Sequence, residues 1–464
     1  MSLNASLSIG ASGLWINQKG IEVTGNNVAN VNTEGYSRQT LELSSTPALE
    51  FSGQMIGQGT TVSSISRETN SFVSKQLTGK IADYGEENGK SLPLEEIERI
   101  VGIDDDSLSS SIDEFFDAWQ ELSTDSSASL QRQQVMQLGE NLALEFQSMV
   151  SDLNSVQEGI NDDLSGTIAT LNQQLQEIAD LNVRIVSAES TGVSANSLRD
   201  QRDLLLQGVS EVAGVNYFEE SNGMVSVQLS SGLPLVTADT ASLLATEWNS
   251  GTLNLTLTSG ASTKDLSGND FGGEVGGILE VRDDYIPELI DQLDILAYNL
   301  ATTVNSVHTG GVDLDGNTGV DFYSFSSSGS DPWTGAASTL TMELTETSQV
   351  AAGTIAAPDN QLGDNENTLN MVALHSEALI DGTSTFNDYY ATIASSVGLT
   401  VSQNTSALES ADDALTQMQN MRDSISGVSV DEEMIMLTQY QSGYEAAARF
   451  LTAVDEMLET LMSI

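Results

Sequence analysis

The hydrophobic positions at the two ends of this chain recur every seven residues, and those between follow other patterns. Near the C-terminus Leu437, Tyr444, Leu451 and Leu458 form one row, with Tyr440, Ala447, Val454 and Leu461 interleaved at three and four. That is the a/d seam of a coiled-coil helix. Near the N-terminus Leu7, Leu14, Ile21 and Val28 form one row, and Ile9, Ile16 and Val23 form another two residues on. Two residues turn a helix by about 200°, so these rows lie on opposite faces and each needs a partner. Gly10, Gly13, Gly20 and Gly25 fall in the same helix. Each costs about 1 kcal/mol relative to alanine, so packing has to supply roughly 4 kcal/mol. The pattern fits a chain that assembles through its ends; read alone, it also fits a buried helix of a monomer.

Between the ends the pattern changes several times. Asn26 to Asn32 and Thr33-Glu34-Gly35-Tyr36 carry turn and helix-stop chemistry. Residues 39–80 read as extended and irregular chain, Pro93 as the start of a short helix, and Ser111 to Leu122 as another. From Ser129 to Ser190 apolar residues keep three/four spacing, which predicts a rod of about 90 Å. A helix over 198–213 follows, then Gly/Ser/Thr/Asn-rich sequence with short β-prone runs over 216–272. Helix returns over 284–307. Residues 309–385 are loop-rich with one strand at Leu340–Leu344, and a second long helix runs over 387–425. The expected fold is mainly α with an inserted β domain: an elongated multi-domain rod whose terminal helices pair in a coiled coil. The expected division is 1–38 with 426–464 as the terminal coiled coil, 39–215 with 273–425 as a long-helix bundle, and 216–272 as a small outer β domain.

Charge narrows the partners. Asp and Glu number 67 against 15 Lys and Arg, a net charge of −52. Such a surface repels phosphate backbones and anionic membranes, so neither nucleic acid nor membrane is expected as a partner. It favours solubility and suits a saline habitat, where salt screens self-repulsion. Residues 1–40 are neutral, Lys19 and Arg38 balancing Glu22 and Glu34, which suits a segment packed beside its own copies. Without cysteine there are no disulfides, thiol nucleophiles or cysteine metal sites. The start, MSLNASLSIGASGLW, has no basic n-region or continuous apolar stretch, so no cleavable secretory signal is expected. No run approaches the roughly 18 apolar residues of a membrane helix. By signals alone the protein would be cytoplasmic.

Candidate chemistry is sparse. His308 and His375 are the two histidines, and neither has a nameable nucleophile or carboxylate in sequence, so a structural role is expected. Asp313, Asp315, Asn317 and Asp321 sit at calcium-loop offsets, but Gly316 is misplaced and Ser324 stands where the closing Glu belongs, so an acidic turn is the better reading. Met434, Met436, Met457 and Met462 read as adaptable packing, and Ser429-Val430-Asp431-Glu432 as a capping box. No catalytic, cofactor or metal residue is expected.

The stretch Asn26-Asn27-Val28-Ala29-Asn30-Val31-Asn32-Thr33-Glu34-Gly35-Tyr36 resembles the motif of the bacterial flagellar axial proteins, which include rod, hook and hook-associated proteins. Its continuation Ser37-Arg38-Gln39 resembles the hook-associated protein 1 family within that group. Three later blocks agree in order: Asn196-Ser197-Leu198-Arg199-Asp200-Gln201-Arg202-Asp203; Gly276-Gly277-Ile278-Leu279 with Arg282, Leu293-Asp294, Asn305, His308 and Asp315-Gly316; and Ser426-Gly427-Val428-Ser429-Val430-Asp431-Glu432-Glu433. Arg199 stands where the family often has Leu, and the stretch after Phe322 is short, as if an outer domain of longer members were missing.

The resemblance implies a structural junction protein and not an enzyme. It implies a homo-oligomeric ring between hook protein below and hook-associated protein 3 and filament above. It further implies export unfolded through the flagellar type III apparatus, an extracellular place on the flagellum, and an export chaperone at the C-terminal helix. The alternatives are a hook or flagellin-type axial protein or, in another class, a secreted acidic calcium-binding adhesin or hydrolase.

Overall fold

The computed structural model describes residues 3–51, 54–102, 107–249, 252–327, 329–355 and 363–463. It is mainly helical with small antiparallel sheets. In chain order come α1 (Leu3–Ala29), β1 (Gln39–Ser45), β2 (Leu49–Phe51), β3 (Gln54–Ile56), β4 (Thr60–Arg67), α2 (Ser71–Val101), α3 (Leu108–Leu122), α4 (Ser129–Ser190) and α5 (Asn196–Ala213). Strands β5 (Asn216–Glu219), β6 (Val225–Gln228), β7 (Pro234–Thr237), β8 (Thr240–Ala241), β9 (Leu243–Asn249), β10 (Thr252–Ser259) and β11 (Ser262–Leu266) follow. Then come α6 (Gly273–Glu280), α7 (Ile286–Gly310), β12 (Tyr323–Ser324), α8 (Ala336–Thr339), β13 (Thr341–Met342), α9 (Glu366–Leu374), α10 (Phe386–Ser426) and α11 (Val430–Met462).

Several sequence expectations need correction. Residues 71–80 are helical, and Pro93 lies inside α2 instead of opening a helix. A proline ring presses on the residue four back, and here that residue is Gly89. Asn26 to Ala29 belong to α1, so the helix outlasts the first asparagines. The strand expected at Leu340–Leu344 shrinks to the two residues of β13. Ser429 makes no side-chain cap at the start of α11.

The chain divides into two compact units, residues 1–85, 168–273 and 410–464 in one and 86–167 and 274–409 in the other. These boundaries differ from those drawn from composition, because α2, α4 and α10 each run through both units. In the first unit β1 pairs with β4, Gln39 opposite Arg67, and the strands from 216 to 266 form two sheets, ordered β5-β6-β7-β8 and β11-β10-β9. In the second unit α3, α4, α7 and α10 share one core. Phe115, Phe116, Trp119, Phe146, Phe322, Phe386 and Tyr390 are fully buried in it, with Phe115 edge-on to Phe322 at 5.5 Å. Gly277 of α6 lies so close to the backbone of Glu86 that a side chain there would collide with its carbonyl.

Asparagine side chains fasten strands to helices in both units. Asn172 of α4 donates to Leu244 O at 2.7 Å and accepts from Leu244 N at 3.0 Å. Asn182 does the same to Val225, at 2.8 and 3.0 Å, and Asn305 of α7 to Tyr323, at 2.7 and 2.9 Å. One amide thereby replaces a neighbouring strand and satisfies both backbone groups of one residue. Arg202, fully buried, donates to Asn182 Oδ1 and Gly223 O. Arg199 holds Glu189 with two bonds of 2.7 and 2.9 Å and Glu219 with a third of 2.7 Å.

The second family block has an equally local reason. From α7, Asp294 accepts from Gly335 N and Ala337 N at 2.7 and 2.8 Å, Asn305 holds Phe322 and Tyr323, and His308 Nε2 accepts from Ala351 N at 3.0 Å. Since Nε2 accepts, Nδ1 carries the proton and donates to Val320 O, giving a neutral imidazole. Together these side chains pin the loop that follows the helix. Asp313 accepts from Asn317 N at 2.7 Å, closing the acidic turn on itself.

Burial lowers the His308 pKa, outweighing its bond to Val320. The folded state therefore disfavours the proton that the unfolded chain accepts near pH 6.5. Stability is full above that pH and is lost as pH falls toward the folded value, with a slope of at most about 1.4 kcal/mol per pH unit. Thermal melts between pH 7 and 5 should show a steeper fall for the parent than for His308→Gln; parallel curves would contradict the buried neutral histidine.

Candidate assembly interface

α1 and α11 pack antiparallel, the chain's two ends side by side. A Cβ on Gly10 would come 2.7 Å from Leu451, one on Gly13 3.5 Å from Ala447, and one on Gly20 2.5 Å from the Tyr440 ring. The glycines are the holes into which these side chains seat. Ile16, Val23 and Val454 are buried, while Leu7, Ile9, Leu14, Ile21, Val28, Leu437, Ala447, Leu451 and Leu458 are half-buried. Tyr444 is 41% exposed, and the side chain of Leu461 lies outside the described residues. The expected rows therefore only partly form the seam. Gly10, Gly13, Asn17 and Gly20 belong to it too, and their 3-4-3 spacing was the sequence signal for it.

Where α1 ends, the asparagine motif closes a knot with α11. Asn27, almost wholly buried, donates to Gln39 O at 2.9 Å and accepts from Gln39 N at 3.0 Å, the same clamp as at Asn172 and Asn182. It also donates to Glu433 Oε2 at 3.1 Å and accepts from the Tyr36 hydroxyl at 2.8 Å. Arg38 Nε donates to Glu433 Oε1 at 2.8 Å, its Nη1 to Glu432 at 3.1 Å, and its backbone N to Ser426 O at 2.8 Å. Burial, with Asp200 and Glu433 nearby, pushes the Tyr36 hydroxyl up to about 12. Asn26 donates to Tyr36, Asn30 to Asn26 at 2.9 Å, and Thr33 to Asn30 at 3.2 Å. Gly35 takes φ +75°, a conformation glycine adopts without strain, with Leu204 packed against it. Asn32 is exposed and outside the knot.

A third segment joins. Arg67 Nη1 donates to Asp200 and Asp203, both at 2.8 Å, and Ser37 lies buried beside Asp200. Burial raises the Asp200 carboxyl against the pull of Arg67 and Ser37. Asn30, Thr33, Tyr36, Asn196, Asp200 and Leu204 line a cleft of 640 Å³ here. Three of the four sequence blocks thus meet at one place.

Family models match three stretches of the chain. The model described as the flagellar hook-associated protein FlgK helical domain matches residues 94–323, that of the flagella basal body rod protein residues 7–36, and that of the flagellar basal body rod FlgEFG protein C-terminal residues 422–464. Flagellar hook-associated protein 1 of Bacillus subtilis is 28% identical, covering 96% of this chain and 95% of its own. That of Salmonella typhimurium is 25% identical over 98% of each. Over nearly its whole length the chain is similar to flagellar hook-associated protein 1. The solved flagellar hook junction protein FlgK from Burkholderia pseudomallei shares the fold, with TM-score 0.68, 17% identity, 76% of this chain and all of that one covered. The Salmonella alignment runs over 545 positions against 464 residues here, so that family member carries sequence this chain lacks.

Two substitutions test the interface. Gly20→Leu should push α11 off α1, exposing both helices to hydrogen exchange, and Tyr440→Ala in the same chain should restore protection by emptying the space. Arg38→Met leaves the Glu433 carboxylate buried without its cation and should cost about 3 kcal/mol in denaturant unfolding; adding Glu433→Gln should recover part of that loss.

Proposed function

We propose that this chain is a structural junction protein of the bacterial flagellum, standing between hook and filament and assembling with its own copies through the paired terminal helices. The α1–α11 seam carries the reading. A seam of glycine holes closed by a buried polar knot makes the two chain ends one element, and its half-buried flanks (Leu7, Leu14, Leu437, Leu458 and the exposed Tyr444) leave apolar surface for neighbours. Near full-length similarity to hook-associated protein 1 sequences supports it.

On this reading hook protein lies below, and hook-associated protein 3 and the filament lie above. The chain leaves the cell through the flagellar type III apparatus, and before export a chaperone covers α11. Residues 216–272 form the outward-facing β part of the first compact unit. On this reading the role is structural, as the names of the relatives suggest; His308 is spent on two backbone groups.

The test is a bacterial strain lacking its own hook-associated protein 1. Expressing this chain should restore filaments in negative-stain images and swimming in soft agar. Leu451→Asp, which puts a charge into the seam, should be exported yet leave bare hooks. Filaments on the Leu451→Asp cells would contradict the seam as the assembly element.

A further inference from the structure

Asparagine is followed by glycine at two places in the chain, Asn88-Gly89 and Asn222-Gly223. The pair is chemically labile in a free chain, because with no Cβ in the way the glycine nitrogen can reach the asparagine Cγ. The fold treats the two differently. Asn88 lies inside α2, where backbone nitrogens are committed to the helical ladder, and a Cβ on Gly89 would come 2.6 Å from Glu274 O. That nitrogen cannot turn toward the side chain without breaking the helix. Asn222 lies in the turn between β5 and β6. Gly223 N donates to Glu220 O at 2.9 Å, Glu220 N donates to Met224 O at 2.8 Å, and Gly223 takes φ +86°. This is a tight hairpin turn closed by a left-handed glycine. Ser221 and Asn222 are exposed, while Gly223 is buried, with Arg199 close behind it. Met224 N donates to Asn222 Oδ1 at 2.9 Å, which polarises the side-chain carbonyl and stabilises negative charge arising on that oxygen. The bond to Glu220 O holds the Gly223 nitrogen, and opening it disturbs only a turn of four residues.

We infer that Asn222 is a site of spontaneous deamidation in the folded protein and that Asn88 is protected by its helix. Gly223 N gives its proton to solvent base and attacks Cγ of Asn222. The new N–Cγ bond forms, the Cγ–Nδ2 bond breaks, and Nδ2 leaves as ammonia with a proton from water. The five-membered succinimide then takes up one water. It opens at either carbonyl, to aspartate or to isoaspartate, whose main chain runs through the side chain and is one methylene longer. Water is the co-reactant throughout. Either product places a carboxylate beside Glu220, whose Oε2 lies 3.5 Å from Asn222 Nδ2. The isoaspartate also displaces Gly223, whose carbonyl accepts from buried Arg202 at 2.8 Å, and strains Val225, which Asn182 grips by both backbone groups. The modification thus loosens the β5–β6 hairpin from α4 and α5. This inference concerns the single chain and does not rest on the junction reading.

The test ages the folded full-length protein beside the same protein unfolded in guanidinium chloride, in warm, mildly alkaline buffer. Peptide mass spectrometry reads the fraction of each asparagine that has gained one mass unit. In the unfolded chain Asn88 and Asn222 should convert together. In the folded protein Asn222 should convert within several-fold of its unfolded rate, and Asn88 many times more slowly. Aged folded protein should exchange amide hydrogens faster over residues 216–228 than fresh protein. Asn222→Gln, whose longer side chain does not close the five-membered ring, should show no such difference between fresh and aged samples. Folded protein in which Asn222 converts no faster than Asn88 overturns the inference. Conversion at Asn222 with unchanged exchange over 216–228 overturns the loosening of the hairpin.

Discussion

The structure depends on satisfying backbone groups where the chain leaves a helix. A strand running beside a helix has no ladder on that side, and a buried unpaired N–H or C=O costs about 1–3 kcal/mol. This chain meets the demand with asparagine. Asn27, Asn172, Asn182 and Asn305 each grip both backbone groups of one following residue, in both compact units. Asparagine suits the task because its amide offers a donor and an acceptor at the spacing of a peptide group. Glutamine is a methylene too long, and aspartate lacks the donor.

At Asn27 this device gains a second use. Its amide also meets Glu433, so the place where α1 turns into β1 is the place where α11 begins. Arg38 neutralises the carboxylate that the knot buries, and Asp200 with Arg67 brings α5 and β4 to the same point. Buried ion pairs contribute little net stability but punish misplacement, since each charge left alone is costly. The knot therefore sets which residues of α1 face α11, and the glycines make close approach possible once that register is set.

The seam shows how one residue type can be read with opposite sign. Taken helix by helix, Gly10, Gly13 and Gly20 weaken α1. Across the helix pair they admit Leu451, Ala447 and Tyr440, and the backbone penalty is offset by contact that a side chain would block. Arg199 is similar: it bridges Glu189 and Glu219 and ties the end of α4 to β5.

The sequence by itself determined the longest helix and its kind. The three/four spacing of apolar residues over 129–190 reports a local periodicity that needs no partner to be visible, and α4 occupies that span without interruption. The motif blocks were legible for the same reason, as local strings. Tertiary structure alone decided what they do. That Asn27 is a clamp, that Glu433 is its partner and that Asp200 stands beside Ser37 depend on segments some 400 and 160 residues apart in sequence being brought together. The side-chain periods carry no record of such pairings. Pro93 inside α2 and the helical Asn26 were misread because local propensity is a weak prior that packing overrides. The two compact units do not follow the composition boundaries, because composition changes along the chain, whereas compactness is a property of contacts across it.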